Sequence, residues 1–333
     1  MGMADKAAKM FYSKPKNFIS VVKLLDAKNV IGEDVWEIKE NLLVLMEALL
    51  EKGTKQKRPK GIIERRRDVV SRVQINNQSV IVGIENQQKR DYSEPVRVML
   101  YDAMEYERQR QIIRWAHGEN KDLTQDEYTS GFSKADKLLP VLTIVIYYGK
   151  EKWDVPQKLS DICMQGEPGK DADFMEQIQD YHINVIDVRR LSDEQIEGIQ
   201  SEVKLLFGYV KYDGDKEKLK AFIEKNRKYF ERLPKETYEI IANMTETTTL
   251  IKTMENFREE GGYNMCKAID DMIQEGREEG REQGREQERQ RGIRTMIEAC
   301  KSVGGTWEAV LGLLEEKFSL KEEEGRKCME LYW

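Results

Sequence analysis

The segment LLPVLTIVIYYG, residues 138–149, is apolar at nearly every position. A strand with one wet face alternates apolar and polar residues, so an unbroken run requires cover on both faces. Helices must therefore pack on the two sides of whatever sheet this strand joins. Its neighbours in sequence fit that demand. Two segments, 67–75 and 79–87, read as strands joined by Asn-Asn-Gln, and Asn-Asn tolerates the left-handed backbone of a tight hairpin turn. Residues 93–118 read as a long helix with Ser93 as N-cap, Pro95 in the first turn and Gly118 as the stop. A short helix at 158–164, a strand at 182–188 and a helix at 193–212 follow. Helices at 4–25 and 35–52 precede the hairpin, the second with Leu42, Leu45, Met46, Leu49 and Leu50 at helical spacing. The order strand, strand, helix, strand, helix, strand predicts an α/β fold with a mixed sheet.

The hairpin carries the chemistry. With Asn76-Asn77 as a two-residue turn, Ile75 pairs with Gln78 and opposed numbers sum to 153, which sets Asp68 across from Glu85. A four-residue loop would oppose Asp68 to Gln87, still on the same face. Alternation then places Val69, Val73, Ile75, Val80, Val82 and Ile84 on one face. Asp68, Arg72, Gln74, Glu85 and Gln87 lie on the other, joined by Lys89 if the strand extends. Opposed carboxylates repel unless a cation, a shared proton or full solvation relieves them. A cation between them suits phosphodiester hydrolysis: Asp68 and Glu85 hold one or two Mg²⁺ or Mn²⁺ ions, and Gln87 orients water or phosphate. An amide is no general base, so the metal must supply the hydroxide. The competing reading is an ordinary exposed hairpin face balanced by Arg72 and Lys89.

Charge distribution favours the first reading. The chain is acidic overall, at −6, yet Lys52–Arg72 holds nine cations (Lys52, Lys55, Lys57, Arg58, Lys60, Arg65, Arg66, Arg67 and Arg72) against Glu64 and Asp68. Such a cluster is a footprint of phosphate binding, and it leads directly into the acidic strand. Other chemistries are poorly supplied. Two histidines, His117 and His182, give little basis for triads or His-ligated metals. The cysteines 163, 266, 300 and 328 are too far apart in sequence for the usual zinc spacing and suit a reducing compartment. No run approaches the ~20 apolar residues of a membrane span, and the first residues lack the apolar core of a signal peptide. The expectation is a cytoplasmic protein with no membrane partner.

From residue 213 onward helices dominate, with Pro234 as one break. The expected organisation is a domain at 1–212, a helical extension at 213–272, a Glu/Gly/Arg repeat linker at 273–292 and a small helical unit at 293–333. In the repeat, Gly276, Gly280 and Gly284 each cost a helix about 1 kcal/mol. Glu–Arg pairs recover only ~0.2–0.5 kcal/mol apiece, so a marginal helix or hinge is predicted. Ser319 and Glu322 form a capping-box pattern in the last unit. This tail is a candidate for covering the basic segment or for pairing with a second copy of the chain.

The residues quoted so far resemble the PD-(D/E)XK nuclease superfamily, with an acid on one strand, Glu-x-Lys on the next and a helix behind. More narrowly, RRDVV with Asp68, VGIENQ with Glu85 and Gln87, PVRVMLYDAMEYERQ and IVIYYGKEKWD resemble the Rpn family of recombination-promoting nucleases, the YhgA-like transposases. The glycine-arginine-glutamate tail is similar as well. The resemblance spans roughly residues 4–300. It implies a restriction-endonuclease-like core and a metal-dependent DNA endonuclease linked to recombination or mobile elements. Gln87 stands where the superfamily usually has lysine; the narrower family is similar in having Gln there, and Lys89 is a candidate source of the missing charge. On the long helix, Arg97, Tyr101 and Tyr106 are candidates for facing DNA, with packing the competing role for the tyrosines. The alternative function is a non-catalytic DNA-binding or assembly protein on a nuclease fold.

Overall fold

The computed structural model describes residues 3–25, 69–75, 78–118, 123–163 and 179–333. The expected helix at 35–52 and most of the basic segment lie outside them. Four strands, β1 (Val69–Ile75), β2 (Gln78–Gln87), β3 (Val141–Tyr147) and β4 (Asn184–Asp187), form one sheet in the order β1-β2-β3-β4. β1 runs antiparallel to β2, while β2–β3 and β3–β4 are parallel, giving the expected mixed sheet. The hairpin register is the one the two-residue turn dictates: Ile75 pairs with Gln78, Val73 with Val80 and Val69 with Ile84.

Both faces of the sheet are covered. On one, Val82, Ile84, Ile144 and Ile146 are buried; helix α1 (Met3–Tyr12) packs on β2 there, and α1 and α2 (Pro15–Lys23) pack in turn against the later helices. The Tyr12 and Tyr148 hydroxyls share a hydrogen bond there, and Tyr148 also donates to Asn86 Oδ1 at 3.1 Å. The single N-terminal helix expected at 4–25 is two helices, because Pro15 starts a new one. On the opposite face lies α3 (Glu94–Ala116), whose Val98 clusters with Val145, Tyr147, Trp153, Val155 and Ile183. That face is less polar than the sequence alternation suggests: Val70 and Ile81 also point to it and are buried.

α3 is fastened by polar groups. Its buried residues include Glu94, Asp102, Glu105, Arg108 and Gln109 beside Val98 and Tyr101. Thr143 on β3 donates to Asp102 at 2.7 Å, and Tyr181 donates to the same carboxylate. Glu105 and Arg108 form a two-pronged ion pair. Gln109 accepts from the Leu139 N–H at 2.8 Å and donates to the Leu139 carbonyl at 3.2 Å. Ser93 sits at the N-cap but makes no capping bond; its hydroxyl donates to Asp91 at 2.7 Å instead.

The expected helix at 193–212 is broken into Asp193–Gly198 and α4 (Val203–Tyr212). α4 packs on α5 (Lys216–Lys225), and α6 (Lys235–Met244) lies against α1. A two-residue-per-strand ribbon, Arg258–Glu259 with Gly262–Tyr263, interrupts the helical stretch.

The chain divides into two compact units, Met1–Cys266 and Lys267–Trp333. Helix α7 (Met265–Ser302) runs through the whole repeat, so the stretch read as a marginal helix or hinge is helical throughout. Residues 274–291 are exposed on every side of it. Glu, Gln and Arg are among the better helix formers, and the helix tolerates the interspersed Gly276, Gly280, Gly284 and Gly292. The second unit buries Ile293, Ile297, Val310, Leu314 and Met329 between α7, α8 (Trp307–Phe318) and α9 (Glu322–Tyr332). Ser319 does not cap α9. It ends α8 in the left-handed region at φ 50°, and Glu324 reaches back to the Lys321 N–H at 3.2 Å.

Glycine contexts in the two units give a prediction of opposite signs. A Cβ on Gly208 in α4 would fall 2.0 Å from the ring of buried Phe222, whereas one on Gly276 or Gly280 meets nothing within 4 Å. Gly208→Ala is expected to destabilise by about 1–3 kcal/mol despite its gain in helix propensity. Gly280→Ala is expected to stabilise by roughly 0.5–1 kcal/mol. Denaturant unfolding of the full chain, monitored with probes in each unit, reads both.

Candidate functional site

Register fixes which side chains stand together where β2 leaves the sheet. Glu85 pairs with Val145 and Gln87 with Tyr147, so both point to the face that α3 covers. Glu85 is 4% exposed, at a position where an ordinary hairpin carboxylate would be solvated. The short connection from β2 into α3, QKRDYS, then turns back over this edge. Asp91 organises the turn by accepting from the Ser93 N–H at 2.9 Å and the Ser93 hydroxyl at 2.7 Å. Pro95 presets the first helical turn, Glu94 becomes its first residue, and Arg97 follows one turn later.

Arg97 is the hub. Its Nη1 donates to Asp91 Oδ2 at 3.1 Å and to Glu94 Oε2 at 3.2 Å, and its Nη2 lies 3.8 Å from Glu85 Oε2. The Gln87 amide donates to Glu94 Oε2 at a long 3.4 Å. Glu94 is fully buried, and its Oε1 has no hydrogen-bond partner among the described residues. Burial raises the Glu94 carboxyl above the usual range, with Arg97 opposing and the Asp91 charge adding to the rise. Asp91 moves the other way. Partial burial works against its charge, but the Ser93 hydroxyl and N–H and Arg97 hold it below the ordinary value. The guanidinium itself is partly desolvated, yet Tyr101, Glu94 and Asp91 push its pKa up, so it stays charged.

The site residues expected from sequence fall into three groups. Glu85, Gln87 and Arg97 are brought together. Lys89 is not carried onto the Glu85 face by strand alternation, because β2 ends at Gln87; it is exposed beyond the strand end. Arg72 stands in the middle of β1 opposite Ile81, four residues along β2 from Glu85, exposed and donating to Ser79 at 2.9 Å. Asp68, Lys55, Lys57, Arg58, Lys60, Arg65, Arg66 and Arg67 lie outside the described residues. Of the two tyrosines on α3, Tyr101 is buried at 7% exposure, and the Tyr106 hydroxyl accepts from the Val141 N–H at 3.0 Å. Burial gives Tyr101 a packing role, whereas the ring of Tyr106 is exposed. His117 pairs with Asp136 at 2.7 Å, and His182 is exposed.

Sequence reasoning missed Glu94 and Asp91. The available signal was the acid-Tyr-Ser-acid-Pro run ahead of Arg97, which reads as ordinary helix initiation until the strand geometry sets it beside Glu85. Among the described residues no group of three His, Cys, Asp or Glu side chains is placed to hold a metal. None of the helices among them is long and apolar enough to cross a membrane.

A family model described as "Putative transposase, YhgA-like" matches residues 63–241, more than half of the chain. The chain belongs to this family. No curated protein and no solved structure matches it. The part matched as YhgA-like contains all four strands of the sheet, α3, Glu85, Gln87 and Arg97. The second compact unit of this YhgA-like chain lies beyond the match.

Proposed function

We propose that this chain is a metal-dependent DNA endonuclease built on a PD-(D/E)XK-type core. Asp68 and Glu85 are assigned as ligands of Mg²⁺ or Mn²⁺, and Gln87 as the group that orients water or phosphate. The observation that carries the reading is Glu85: a buried carboxylate at the exit of a parallel strand, next in β2 to Ile84, which is paired with Val69, the residue that follows Asp68 in sequence. The family's description points to DNA as the substrate.

The donor chemistry fits a hard divalent ion. Mg²⁺ characteristically takes one or two carboxylates and completes its shell with water and substrate phosphate, so two acids suffice. When bound, such an ion polarises the scissile phosphate and lowers the pKa of a water. Arg97 compensates the Glu85 charge from 3.8 Å and, at about a quarter exposed, is placed to meet a phosphate. In this reading it supplies the positive charge that lysine would have supplied at Gln87. The basic residues Lys55, Lys57, Arg58, Lys60, Arg65, Arg66, Arg67 and Arg72 are assigned to the DNA backbone. The helical C-terminal unit is assigned to restraint of the nuclease or to self-association.

One observation favours a second reading. Gln87 is engaged with Glu94 rather than free, as expected of a non-catalytic DNA-binding protein on the same fold. A supercoiled-plasmid assay separates the two. Nicking with Mg²⁺ or Mn²⁺, and its loss with EDTA, is the expected result. Binding without nicking in either metal would establish the second reading.

A further inference from the structure

The carboxyl edge of the parallel strands continues past Glu85 into a cleft of about 490 Å³. It begins where the candidate site ends: the Tyr148 N–H donates to the Gln87 carbonyl at 2.9 Å, and Lys89, Arg90 and Lys150 follow these two strand ends. A second cavity of about 480 Å³ shares Lys150, Arg189 and Thr245 with it, so the two form one trough. Gly149 shapes the wall, since a Cβ there would fall 2.1 Å from the Tyr147 hydroxyl.

The side chains of this trough match one kind of ligand. Arg90 is tied to Asp154 at 2.9 Å, and Arg189 is held by Asp213. Lys89 and Lys150 have no ion-pair partner among the described residues. Tyr92 is 56% exposed, and its hydroxyl donates to Asp154 at 3.4 Å. Glu151 and Glu246 also line the cleft. Two carboxylates beside two available ammonium groups disfavour a compact polyanion such as a triphosphate. They are compatible with single phosphates spaced along a strand. An exposed aromatic face has no partner in a duplex, where bases are already stacked, but holds an unpaired base well.

We propose that this cleft binds an unstacked, single-stranded stretch of nucleic acid next to the candidate catalytic site. Tyr92 stacks a base, and Lys89 and Lys150 contact flanking phosphates. The proposal rests on the nucleic-acid reading above but not on cleavage.

The test is fluorescence anisotropy with the full chain in EDTA, using a labelled 12-nucleotide oligothymidine and a duplex of equal length. Tyr92→Ala is expected to weaken oligothymidine binding by about 5- to 150-fold, the range for loss of one base stack. Duplex binding should change less than about twofold, and Tyr92→Phe should retain tight binding because stacking uses the ring. Lys89→Gln with Lys150→Gln should reduce the slope of log K against log salt by about 1.4, or about 0.7 per phosphate contact. Unchanged oligothymidine affinity in Tyr92→Ala overturns the proposal, as does an unchanged salt slope in the lysine pair. Absence of oligothymidine binding by the wild type overturns it too. The nuclease reading fails separately: a protein that never nicks plasmid but loses oligothymidine binding through Tyr92→Ala keeps the cleft and loses the catalytic assignment.

Discussion

Glu85→Gln is expected to reduce metal-dependent nicking by at least about 10³-fold, which corresponds to roughly 4 kcal/mol of lost transition-state stabilisation. The substitution is nearly isosteric but takes away the charge that a divalent ion requires. Its structural effect should be small. Glu85 is buried at 4% exposure, so an amide of the same shape preserves packing. Arg97 keeps Asp91 and Glu94 as partners at 3.1 and 3.2 Å when the longer contact to Glu85 is lost. A thermal midpoint close to wild type, beside absent nicking, would assign the residue to chemistry. Asp68→Ala should behave in the same way. Nicking by Glu85→Gln at the wild-type rate in Mg²⁺ would remove Glu85 from the mechanism, whatever DNA affinity remained.

How far the sequence led can be traced through single residues. The hairpin register followed from Asn76-Asn77 and the period-two pattern alone, because a slip of one residue would set Val73 on the opposite face from Val82 and Ile84. The buried parallel strand followed from its unbroken apolar run. The packing face of α3 was illegible for the opposite reason. Its contact residues are Glu94, Asp102, Glu105, Arg108 and Gln109 as much as Val98, and their partners sit at Thr143, Tyr181 and Leu139. No apolar period marks a face held by paired polar groups. The same limit hid the hub at Arg97. From sequence, the helix start offered an acid for the helix dipole and a base three residues later, a pattern worth a few tenths of a kcal/mol on an exposed helix. Only the sheet, by bringing Glu85 under that turn, makes it a buried cluster. Lys89 shows the converse. Alternation extended past Gln87 put it on the Glu85 face, but the strand stops there, and alternation says nothing about a side chain in the connection that follows.

Arg97→Ala is expected to destabilise the first unit by about 2–4 kcal/mol at neutral pH, lowering the melting temperature by roughly 5–15 °C. Fully buried pairs lose about 3–5 kcal/mol when one partner is removed. The lower figure applies because the guanidinium is about a quarter exposed and Asp91 about a third. The loss should depend on pH in a defined direction. Glu94 already has a folded-state pKa above its ordinary value of 4.5, through burial. The folded state therefore holds a proton that the unfolded state has released, and stability falls as pH rises through that window. Removing Arg97 takes away an influence that lowers the Glu94 pKa, so the window extends upward and the neutral-pH penalty grows. Asp91 acts in the same sense. Its depressed pKa stabilises the fold above the ordinary carboxylate range, and part of that stabilisation comes from Arg97. As pH falls through the depressed Asp91 pKa, with Glu94 already protonated, the variant should approach wild type. Glu94→Gln in the Arg97→Ala background should restore about 1–2 kcal/mol at pH 7, because a neutral amide no longer leaves a buried charge without its cation. Denaturant midpoints from about pH 2 to 8 for the wild type, both single variants and the double variant measure all of this. A penalty independent of pH, with no recovery in the double variant, would mean that Arg97 contributes packing alone and that the three carboxylates around it do not depend on its charge.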